Sequence, residues 1–243
     1  MVHVTPSRVG LVLTGLAWLA CAPDRDSVPG DPPPRAEHAR SVPFLDDRVK
    51  ESSGVAVSRD HPGILWTHND SGDQAWLYAT DTLGRARGRL LLHGADNRDW
   101  EDVALGPCPT GSCLYLADTG DNRRQRNDVV IYRVREPATP FGNEAVIGNV
   151  ESVHFSYRDG PHDVEAMFVG PAGDVHLVSK GTREPIHHYR LPASAWLSAR
   201  PAVAEDLGEL PIRPDRSSSR FSPDSEKIQV FVLSSLISLS PSK

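Results

Sequence analysis

The segment Glu101-Asp-Val-Ala-Leu105 has near copies at Ser53-Gly-Val-Ala-Val57 and at Glu165-Ala-Met-Phe-Val169. A second motif, Asp70-Ser-Gly-Asp73, recurs as Asp118-Thr-Gly-Asp121, and both motifs step forward by 48 residues, from 53 to 101 and from 70 to 118. The second apolar run after each copy of the first motif, which is the third strand of the unit, carries a tyrosine: Tyr78, Tyr132 and Tyr189. A matched spacing in two separate motifs indicates a repeated unit of roughly fifty residues.

The repeated unit reads as four short β-strands separated by turns. Apolar runs of strand length alternate with Gly, Asp, Asn and Pro, and no segment keeps a helical period for more than about two turns. Besides the first motif, these runs are 64–67, 76–79, 89–93, 114–117, 129–134, 153–157 and 175–178. Units near 50–98, 99–162 and 163–210 therefore predict an all-β protein, a β-propeller of four-stranded antiparallel blades. A generic β-sandwich is the alternative.

The end of the chain departs from this pattern. A closed ring needs about four blades or more, and only three units are clear. The run 229–233 is a candidate for a further strand, but the chain from 216 onward is rich in Ser and lacks the acidic and tyrosine motifs. We therefore place the blades at 48–215 and an atypical Ser-rich tail at 216–243, which leaves the ring incomplete, truncated or out of frame at its C-terminal end.

Composition excludes several classes of protein. The chain has 243 residues, a formal net charge of −6, and 19 Gly and 21 Pro against 2 Met. A mildly acidic chain without a basic run is a poor binder of nucleic acid, because neutralising phosphates takes clustered Lys and Arg. The Gly and Pro content favours many turns over a helical bundle, and only the N-terminus is apolar enough to meet a membrane.

The first 47 residues predict export. Residues 1–21 combine a short basic start, an apolar stretch and small residues before Cys21, the pattern of a secretory signal peptide. Leu19-Ala20-Cys21 resembles a bacterial lipobox, whose Cys becomes the lipidated first residue, while simple secretion and an uncleaved anchor are the alternatives. Residues 22–47 are charged and Pro-rich, which predicts a flexible tether. We expect an extracytoplasmic protein that is lipid-anchored to a bacterial membrane or secreted.

The two remaining cysteines lie close together. Cys108 and Cys113 enclose a tight loop that contains Pro and Gly. Such a loop can bring the two Cα atoms within disulfide range, and an oxidising compartment would keep the bond. A metal-binding pair is the alternative, although no second Cys pair or nearby His doublet supports it.

The acidic motifs are the strongest chemical feature. The first strand of each propeller blade lines the central channel, so Glu101 and Glu165 are expected to recur around the axis. The candidate metal ligands are these two residues together with those in the turns after the second strands: Asp70, Asp73, Asp118, Asp121 and Asn122. Oxygen ligands that converge in short Gly-containing loops suit Ca²⁺.

Two other interpretations of these acids stay open. Asp and Asn side chains commonly cap turns by accepting hydrogen bonds from nearby backbone N–H groups. Alternatively, Glu101 and Glu165 are candidates for an acid and base pair if burial and like charge raise one pKa. The basic residues Arg123, Arg124, Arg126 and Lys180 could then face a phosphate, or form a solvated loop. Trp100 is expected to pack between blades.

The motifs, in order, resemble a family of bacterial secreted or lipid-anchored β-propeller proteins of the WD40-like kind. The resemblance covers about residues 48–210 and rests on Glu51-Ser-Ser-Gly-Val55, Trp66-Thr-His-Asn-Asp-Ser-Gly-Asp73, Asp99-Trp-Glu-Asp-Val-Ala104, Leu116-Ala-Asp-Thr-Gly-Asp-Asn122, Ile131-Tyr-Arg-Val-Arg-Glu-Pro137 and Asp163-Val-Glu-Ala-Met167. The family is distantly similar to the phytase-like and SdiA-regulated propeller groups. Phytase-like propellers imply metal-assisted hydrolysis of phosphate esters.

These observations lead to one expected function and two rivals. We expect an extracytoplasmic propeller that binds a small molecule or an extracellular protein partner through its acidic face, with Ca²⁺ as the candidate cofactor. The first rival is a metal-dependent hydrolase of the phytase, esterase or lactonase kind on the same scaffold, since propellers host both functions. The second is a pure interaction scaffold that needs neither metal nor substrate.

Overall fold

The computed structural model describes residues 42–138, 144–181 and 185–212, and this part of the chain is almost entirely β-structure. It contains a single 3₁₀ helix, Ala193–Leu197, and these strands: β1 Ser52–Val57, β2 Ile64–Asn69, β3 Trp76–Asp81, β4 Ala86–Leu92, β5 Trp100–Cys108, β6 Gly111–Asp118, β7 Val129–Arg135, β8 Glu144–Ile147, β9 Glu151–Tyr157, β10 Val164–Val169, β11 Val175–Ser179, β12 His187–Leu191 and β13 Ala202–Glu209. The predicted all-β class is confirmed, and each predicted strand between 50 and 210 is present.

Some of the sequence predictions lie outside the described residues. They concern the signal peptide with Cys21, residues 22–41 of the tether, the candidate strand at 229–233 and the Ser-rich tail 216–243. Within the described ranges, no helix is long and apolar enough to cross a membrane.

Three antiparallel four-stranded units follow one another along the chain. The first is β1-β2-β3-β4, the second β5-β6-β7-β9 and the third β10-β11-β12-β13. Gly residues in the left-handed region make several of the turns; Gly63, for example, has φ 83° between β1 and β2. The predicted repeat of four strands is therefore confirmed as a pattern of antiparallel pairing.

The outer strands of the units join neighbours, which the sequence did not predict. β8, from the β7–β9 connection, pairs in parallel with β4 and makes the first unit a five-stranded sheet. β13 pairs in parallel with β9, so the second and third units form one eight-stranded sheet. The end strands of this sheet, β5 and β10, contact each other, which makes it nearly closed and barrel-like.

The core has two parts, and β6 serves both. Leu114 and Leu116 belong to the cluster between the first and second units, where Trp66 and Trp100 are fully buried. Cys113, Tyr115 and Ala117, the alternate residues, belong to the cluster between the second and third units, together with Phe155 and Tyr189. Successive strand residues point to opposite faces, so β6 is apolar throughout because both of its faces are covered. The expectation that Trp100 packs between units is confirmed.

The first strands of the three units lie side by side. β5 contacts β1 on one side and β10 on the other. A Cβ atom added to Gly54 of β1 would lie 2.7 Å from Oδ1 of Asp102 on β5, so this close approach requires glycine. On the other side, the amide of Met167 on β10 donates a hydrogen bond of 2.7 Å to Oδ2 of Asp102. The acidic first-strand motifs are thereby brought together.

The predicted disulfide is present. Cys108 and Cys113 are bonded across the β5–β6 hairpin, with Cα atoms 5.8 Å apart. The bond closes the hairpin at its tip, where Cys108 pairs in register with Gly111.

Candidate metal centre

Five carboxylates converge where the first strands begin. One oxygen from each of Asp70, Asp99 and Glu101 lies within 4.8 Å of the other two. The same holds for Glu101, Asp163 and Glu165, so Glu101 belongs to both groups. We call these five residues the carboxylate cluster. It draws on all three units, because Asp70 follows β2, Asp99 and Asp163 directly precede β5 and β10, and Glu101 and Glu165 are the second residues of those strands.

A β-bulge at the same place in each first strand aims these side chains. The pairing with the second strand shifts register between Ser52 and Val55 in β1, between Trp100 and Asp102 in β5, and between Val164 and Ala166 in β10. Bulges re-aim side chains and are frequent next to functional sites. Glu101 and Glu165 are the residues in the bulges of β5 and β10, and Ser53 occupies the corresponding place in β1.

Backbone hydrogen bonds hold the strand ends in a regular series. Within each unit, an amide after the second strand donates to a carbonyl just before the first strand: Asp70 to Glu51 at 2.8 Å, Gly120 to Asp99 at 3.2 Å and Lys180 to Asp163 at 2.8 Å. Between units, Trp100 donates to Asp70 at 2.8 Å and Val164 to Thr119 at 3.4 Å. The carboxylates therefore sit on a hydrogen-bonded backbone scaffold instead of on free loops.

Three of the predicted ligands belong to the cluster, namely Glu101, Glu165 and Asp70. Asp118 does not, and the reason is a slip in register. The 48-residue spacing matches Asp118 with Asp70, but Asp118 pairs with Trp100 as Asn69 pairs with Ser52. Thr119 is thus the structural counterpart of Asp70. Neighbouring residues of a strand point to opposite faces, so Asp118 turns away and forms an ion pair of 2.8 Å with Arg126.

The other predicted ligands stabilise turns, as the capping interpretation expected. Asp73 Oδ2 accepts hydrogen bonds from Asn69 Nδ2 and from the Tyr78 hydroxyl, both at 2.7 Å. Asp121 Oδ2 accepts from the amides of Gln125 and Arg126, both at 2.6 Å. These contacts place Asp73 and Asp121 outside the cluster.

Asn122 and the predicted basic residues also fall into two groups, those at the carboxylate cluster and those that support a turn. Asn122 Oδ1 accepts a 3.3 Å hydrogen bond from Lys180 Nζ, so it touches the rim of the cluster through the lysine. Arg126 is buried, pairs with Asp118 and donates to the carbonyl of Gly120 at 2.9 Å. Arg126 therefore supports the turn that follows β6, whereas Lys180 faces the carboxylates.

Asp99 and Asp163 belong to the cluster, although the sequence analysis did not propose them as ligands. Both stand two residues before a bulged glutamate, in Asp99-Trp-Glu101 and Asp163-Val-Glu165. Glu51 occupies the same position before Ser53, and its repulsion helps to raise the pKa of Asp70. The repeated acid-x-Glu pattern was the signal that could have identified them, because alternate strand residues share a face.

Burial and like charge dominate the electrostatics of the cluster. Glu101 is only 5% exposed. Burial, together with repulsion from Glu165 and Asp70, raises the pKa of Glu101 to about 9. Burial and the neighbouring Asp99 raise the pKa of Asp70 to about 6. The buried Oδ1 atom of Asp70 has no nitrogen or hydroxyl donor among the described residues. Without a bound cation, Glu101 therefore holds a proton at neutral pH.

Lys180 offsets part of the negative charge. Its Nζ lies 2.6 Å from Glu165 Oε1 and 3.4 Å from Asp163 Oδ2. Burial raises the pKa of Glu165, and the hydrogen bond from Lys180 acts against that shift. Burial is the largest single effect on Lys180 and lowers its pKa, but the hydrogen bond to Glu165 and the attraction of Glu165, Asp163 and Glu101 together raise the pKa of the ammonium. The ammonium of Lys180 therefore lies on the side of Asp163 and Glu165.

The wall of the cluster leaves little spare room. A Cβ atom added to Gly120 would collide with Glu101 Oε1 and with the carboxyl group of Asp99. Ser53 Oγ donates a long hydrogen bond of 3.4 Å to Glu101 Oε2. Glycine at position 120 therefore allows the turn after β6 to press against two of the carboxylates.

Comparison of the chain with models of protein families and with curated proteins finds no match. The chemistry of the carboxylate cluster therefore carries the functional conclusion. An all-oxygen donor set of carboxylates suits hard cations such as Ca²⁺, Mg²⁺ and Mn²⁺.

Proposed function

We propose that this chain is an extracytoplasmic β-propeller that binds Ca²⁺ in the carboxylate cluster. The bound cation then holds an anionic group of a small-molecule ligand or of an extracellular protein partner. The single observation that carries the proposal is the convergence of five carboxylates from three consecutive units, with Glu101 shared between both groups of three.

Charge balance supports a cation at this place. Five carboxylates face one ammonium, that of Lys180, and Glu101 is nearly fully buried among them. Burying an unpaired carboxylate is costly, so such a cluster must take up protons or a cation. Ca²⁺ supplies two positive charges and would replace the proton on Glu101.

The donor set supports Ca²⁺ among the hard cations. Ca²⁺ takes about 6–8 oxygens at roughly 2.3–2.6 Å, and a carboxylate can supply one or both of its oxygens. Two groups of three carboxylates that share Glu101 can provide many of these ligands. Mg²⁺ usually keeps several waters and is bound by only one or two carboxylates, so a set made entirely of protein carboxylates suits it less well.

The propeller assignment rests on the repeat and on its arrangement. Three antiparallel four-stranded units run in sequence, and their first strands lie side by side as blades do around a propeller axis. The resemblance of residues 48–210 to secreted propeller proteins points the same way. The parallel β13–β9 pairing is an addition to the usual blade pattern.

The extracytoplasmic location rests on the N-terminus and the disulfide. Residues 1–21 carry the signal-peptide pattern, Cys21 is the proposed site of lipidation, and residues 22–47 would tether the domain to the membrane. The Cys108–Cys113 bond suits an oxidising compartment. Contact with the membrane would then be made by the lipid alone.

A second candidate is a metal-assisted hydrolase of phosphate esters or other esters. The observation that favours it is the raised pKa of Glu101, about 9, which keeps a proton on this group at neutral pH. A protonated carboxyl group beside ionised neighbours is the arrangement of a general acid. In this alternative the cation would be held by the other carboxylates and would offset phosphate charge, Glu165 would take a proton from the attacking water, and Glu101 would protonate the leaving oxygen.

Calorimetric titration of the full chain with Ca²⁺ tests the main proposal. The variant Glu101→Gln removes the shared carboxylate, and Glu205→Gln is the matched control, since Glu205 is exposed and pairs with Arg190. We expect Glu101→Gln to weaken Ca²⁺ binding at least tenfold and Glu205→Gln to leave it unchanged. Equal affinities in both variants, or no binding by the natural chain, would refute the calcium site and favour the scaffold alternative.

The same proteins distinguish binding from hydrolysis. In the presence of Ca²⁺, a panel of phosphate esters and lactones would be turned over by the hydrolase and only bound by the binding protein. Loss of turnover in Glu101→Gln, with an unchanged melting temperature, would favour the hydrolase.

A further inference from the structure

A second group of possible metal ligands lies on the third unit, away from the carboxylate cluster. One ligand atom from each of Asp159, His187 and Asp206 lies within 4.8 Å of the other two. Asp159 is in the turn after β9, His187 opens β12 and Asp206 is on β13. The three side chains therefore join a connecting segment to the two outer strands of this unit.

His162 supports one of these ligands. Nε2 of His162 lies 2.9 Å from Oδ2 of Asp159, and the His162 and His187 rings are stacked with centroids 6.1 Å apart. Nδ1 of His187 lies 3.4 Å from Oδ1 of Asp206. His162 is therefore placed to orient the carboxylate of Asp159 from outside the group of three.

The local backbone explains why His187 and Asp206 meet. The pairing of β12 with β13 shifts register between His187 and Tyr189, whose partners are Glu209 and Asp206. Gly208 has φ 99°, in the left-handed region, and its amide donates a 2.8 Å hydrogen bond to Asp206 Oδ1. The irregularity at Gly208 therefore fixes the Asp206 carboxylate toward the first residue of β12.

The other nitrogen of His187 also faces an acid. Nε2 of His187 lies 3.9 Å from Oε1 of Glu209, its partner in register. Histidines that bind a metal through one ring nitrogen commonly direct the other N–H to a carboxylate, which fixes the tautomer. Glu209 is placed to perform this role if Nδ1 of His187 binds a metal.

We propose that Asp159, His187 and Asp206 bind a transition-metal ion, with Zn²⁺ as the favoured metal. Imidazole and carboxylate together suit Zn²⁺, and three protein donors leave the fourth position of its tetrahedron to a water molecule. In a tetrahedron with bonds of about 2.0–2.1 Å, two ligand atoms are separated by roughly 3.4 Å. The His187–Asp206 pair, at 3.4 Å, matches this separation.

The ion would fasten the connection between β9 and β10 to strands β12 and β13. The connection leads directly into Asp163, so the metal would also stiffen the segment that carries one ligand of the carboxylate cluster. The donor sets of the two sites are distinct, because none of the three zinc ligands belongs to that cluster. This inference therefore stands apart from the proposed calcium function.

Titration of the EDTA-treated full chain with Zn²⁺ by calorimetry, and with Co²⁺ by visible absorption, tests the site. The informative variants are His187→Gln and Asp206→Asn. The matched control is His188→Gln, because His188 points to the opposite face of β12. There, Nε2 of His188 lies 2.9 Å from Nδ1 of His176. Glu101→Gln is the control for the carboxylate cluster.

We expect one Zn²⁺ per chain, weakened at least tenfold by His187→Gln and by Asp206→Asn and unchanged in both controls. Because His187 and Asp206 are partly exposed, near-ultraviolet circular dichroism should show that the variants stay folded. Absence of zinc binding by the natural chain would overturn the proposal. So would zinc binding that His187→Gln leaves intact, or zinc binding that is lost only in His188→Gln, which would assign the ion to the His176–His188 pair.

Discussion

Glu101 and Glu165 occupy the same bulged position in the first strands of consecutive units, and one oxygen of each lies within 4.8 Å of the other. Because the units repeat, equivalent carboxylates of consecutive units lie close to one another. Two carboxylates so close together stay ionised only when a cation lies between or beside them.

The first prediction separates the ligands that the structure identifies from one that the sequence suggested. Asp99→Asn should weaken Ca²⁺ binding at least tenfold, about 1.4 kcal/mol, because Asp99 belongs to the cluster. Asp73→Asn should leave the affinity within about twofold, since Asp73 bonds to Asn69 and Tyr78 instead. Calorimetric titration of both variants makes the comparison. If Asp73→Asn weakens Ca²⁺ binding and Asp99→Asn does not, the Ca²⁺ site lies in the turn after β2 that contains Asp73.

The second prediction concerns the wall of the cluster. Gly120→Ala should lower the Ca²⁺ affinity and destabilise the fold by about 1–3 kcal/mol, because the added methyl group collides with Glu101 and Asp99. Gly148→Ala is the control, since a Cβ atom there meets nothing within 4 Å. Urea unfolding and calcium titration measure the two effects. Equal behaviour of the two variants would show that the turn at Gly120 does not press on the cluster.

The third prediction concerns pH. In the metal-free folded protein the pKa of Glu101 is raised from 4.5 to about 9. As the pH rises, Glu101 therefore loses its proton at a lower pH in the unfolded chain than in the folded chain. The Glu101 contribution to stability is therefore fully present below about pH 4.5 and is lost as the pH rises toward 9. Ca²⁺ must displace the proton, so its affinity should increase with pH.

Calorimetry at pH 6, 7 and 8 measures this linkage, with up to about a tenfold gain in affinity for each pH unit and each proton displaced. Glu101→Gln should flatten the profile. An affinity for Ca²⁺ that is the same at all three values would contradict the raised pKa.

The fourth prediction concerns His68, which is fully buried with Nδ1 3.0 Å from the carbonyl oxygen of Asn69. Burial lowers the pKa of His68 from 6.5 to about 4. Between pH 6.5 and 4, His68 is protonated in the unfolded chain but remains neutral in the folded chain. This difference lowers the free energy of unfolding by up to about 3 kcal/mol.

Urea unfolding at several pH values measures this effect. His68→Gln should lose this part of the pH dependence, whereas the exposed His154→Gln should keep it. An unchanged slope of stability against pH in His68→Gln would assign the acid sensitivity to other groups.

The sequence predicted the strands well because their signal is local. Apolar runs such as 114–117 are bounded by turn residues, and the repeat of the first motif identified β1, β5 and β10 as equivalent. Cys108 and Cys113 were close enough in the chain for the loop to imply their bond. Glu101 and Glu165 could be expected to meet because equivalent strands of a repeat lie side by side.

The remaining features depend on register and on distant pairings. The bulges shift the second strands against the first, and a slip of one residue sends Asp118 to Arg126 instead of into the cluster. The parallel pairing of β13 with β9 joins the outer strands of the second and third units, and no local sequence pattern predicts this pairing. Asp163 and Lys180 became partners only through the antiparallel pairing of β10 with β11.

The most direct test of the calcium site is the thermal unfolding of the full chain in excess EDTA and in CaCl₂. At about a hundredfold excess over Kd, binding should stabilise the native state by roughly 2.7 kcal/mol. For a chain of this size, where 1 kcal/mol shifts the melting temperature by about 2–4 °C, we expect a rise of about 5–11 °C in Ca²⁺ and its loss in Glu101→Gln. Superimposable cooperative melts of the natural chain in EDTA and in CaCl₂ would contradict a cation site in the carboxylate cluster.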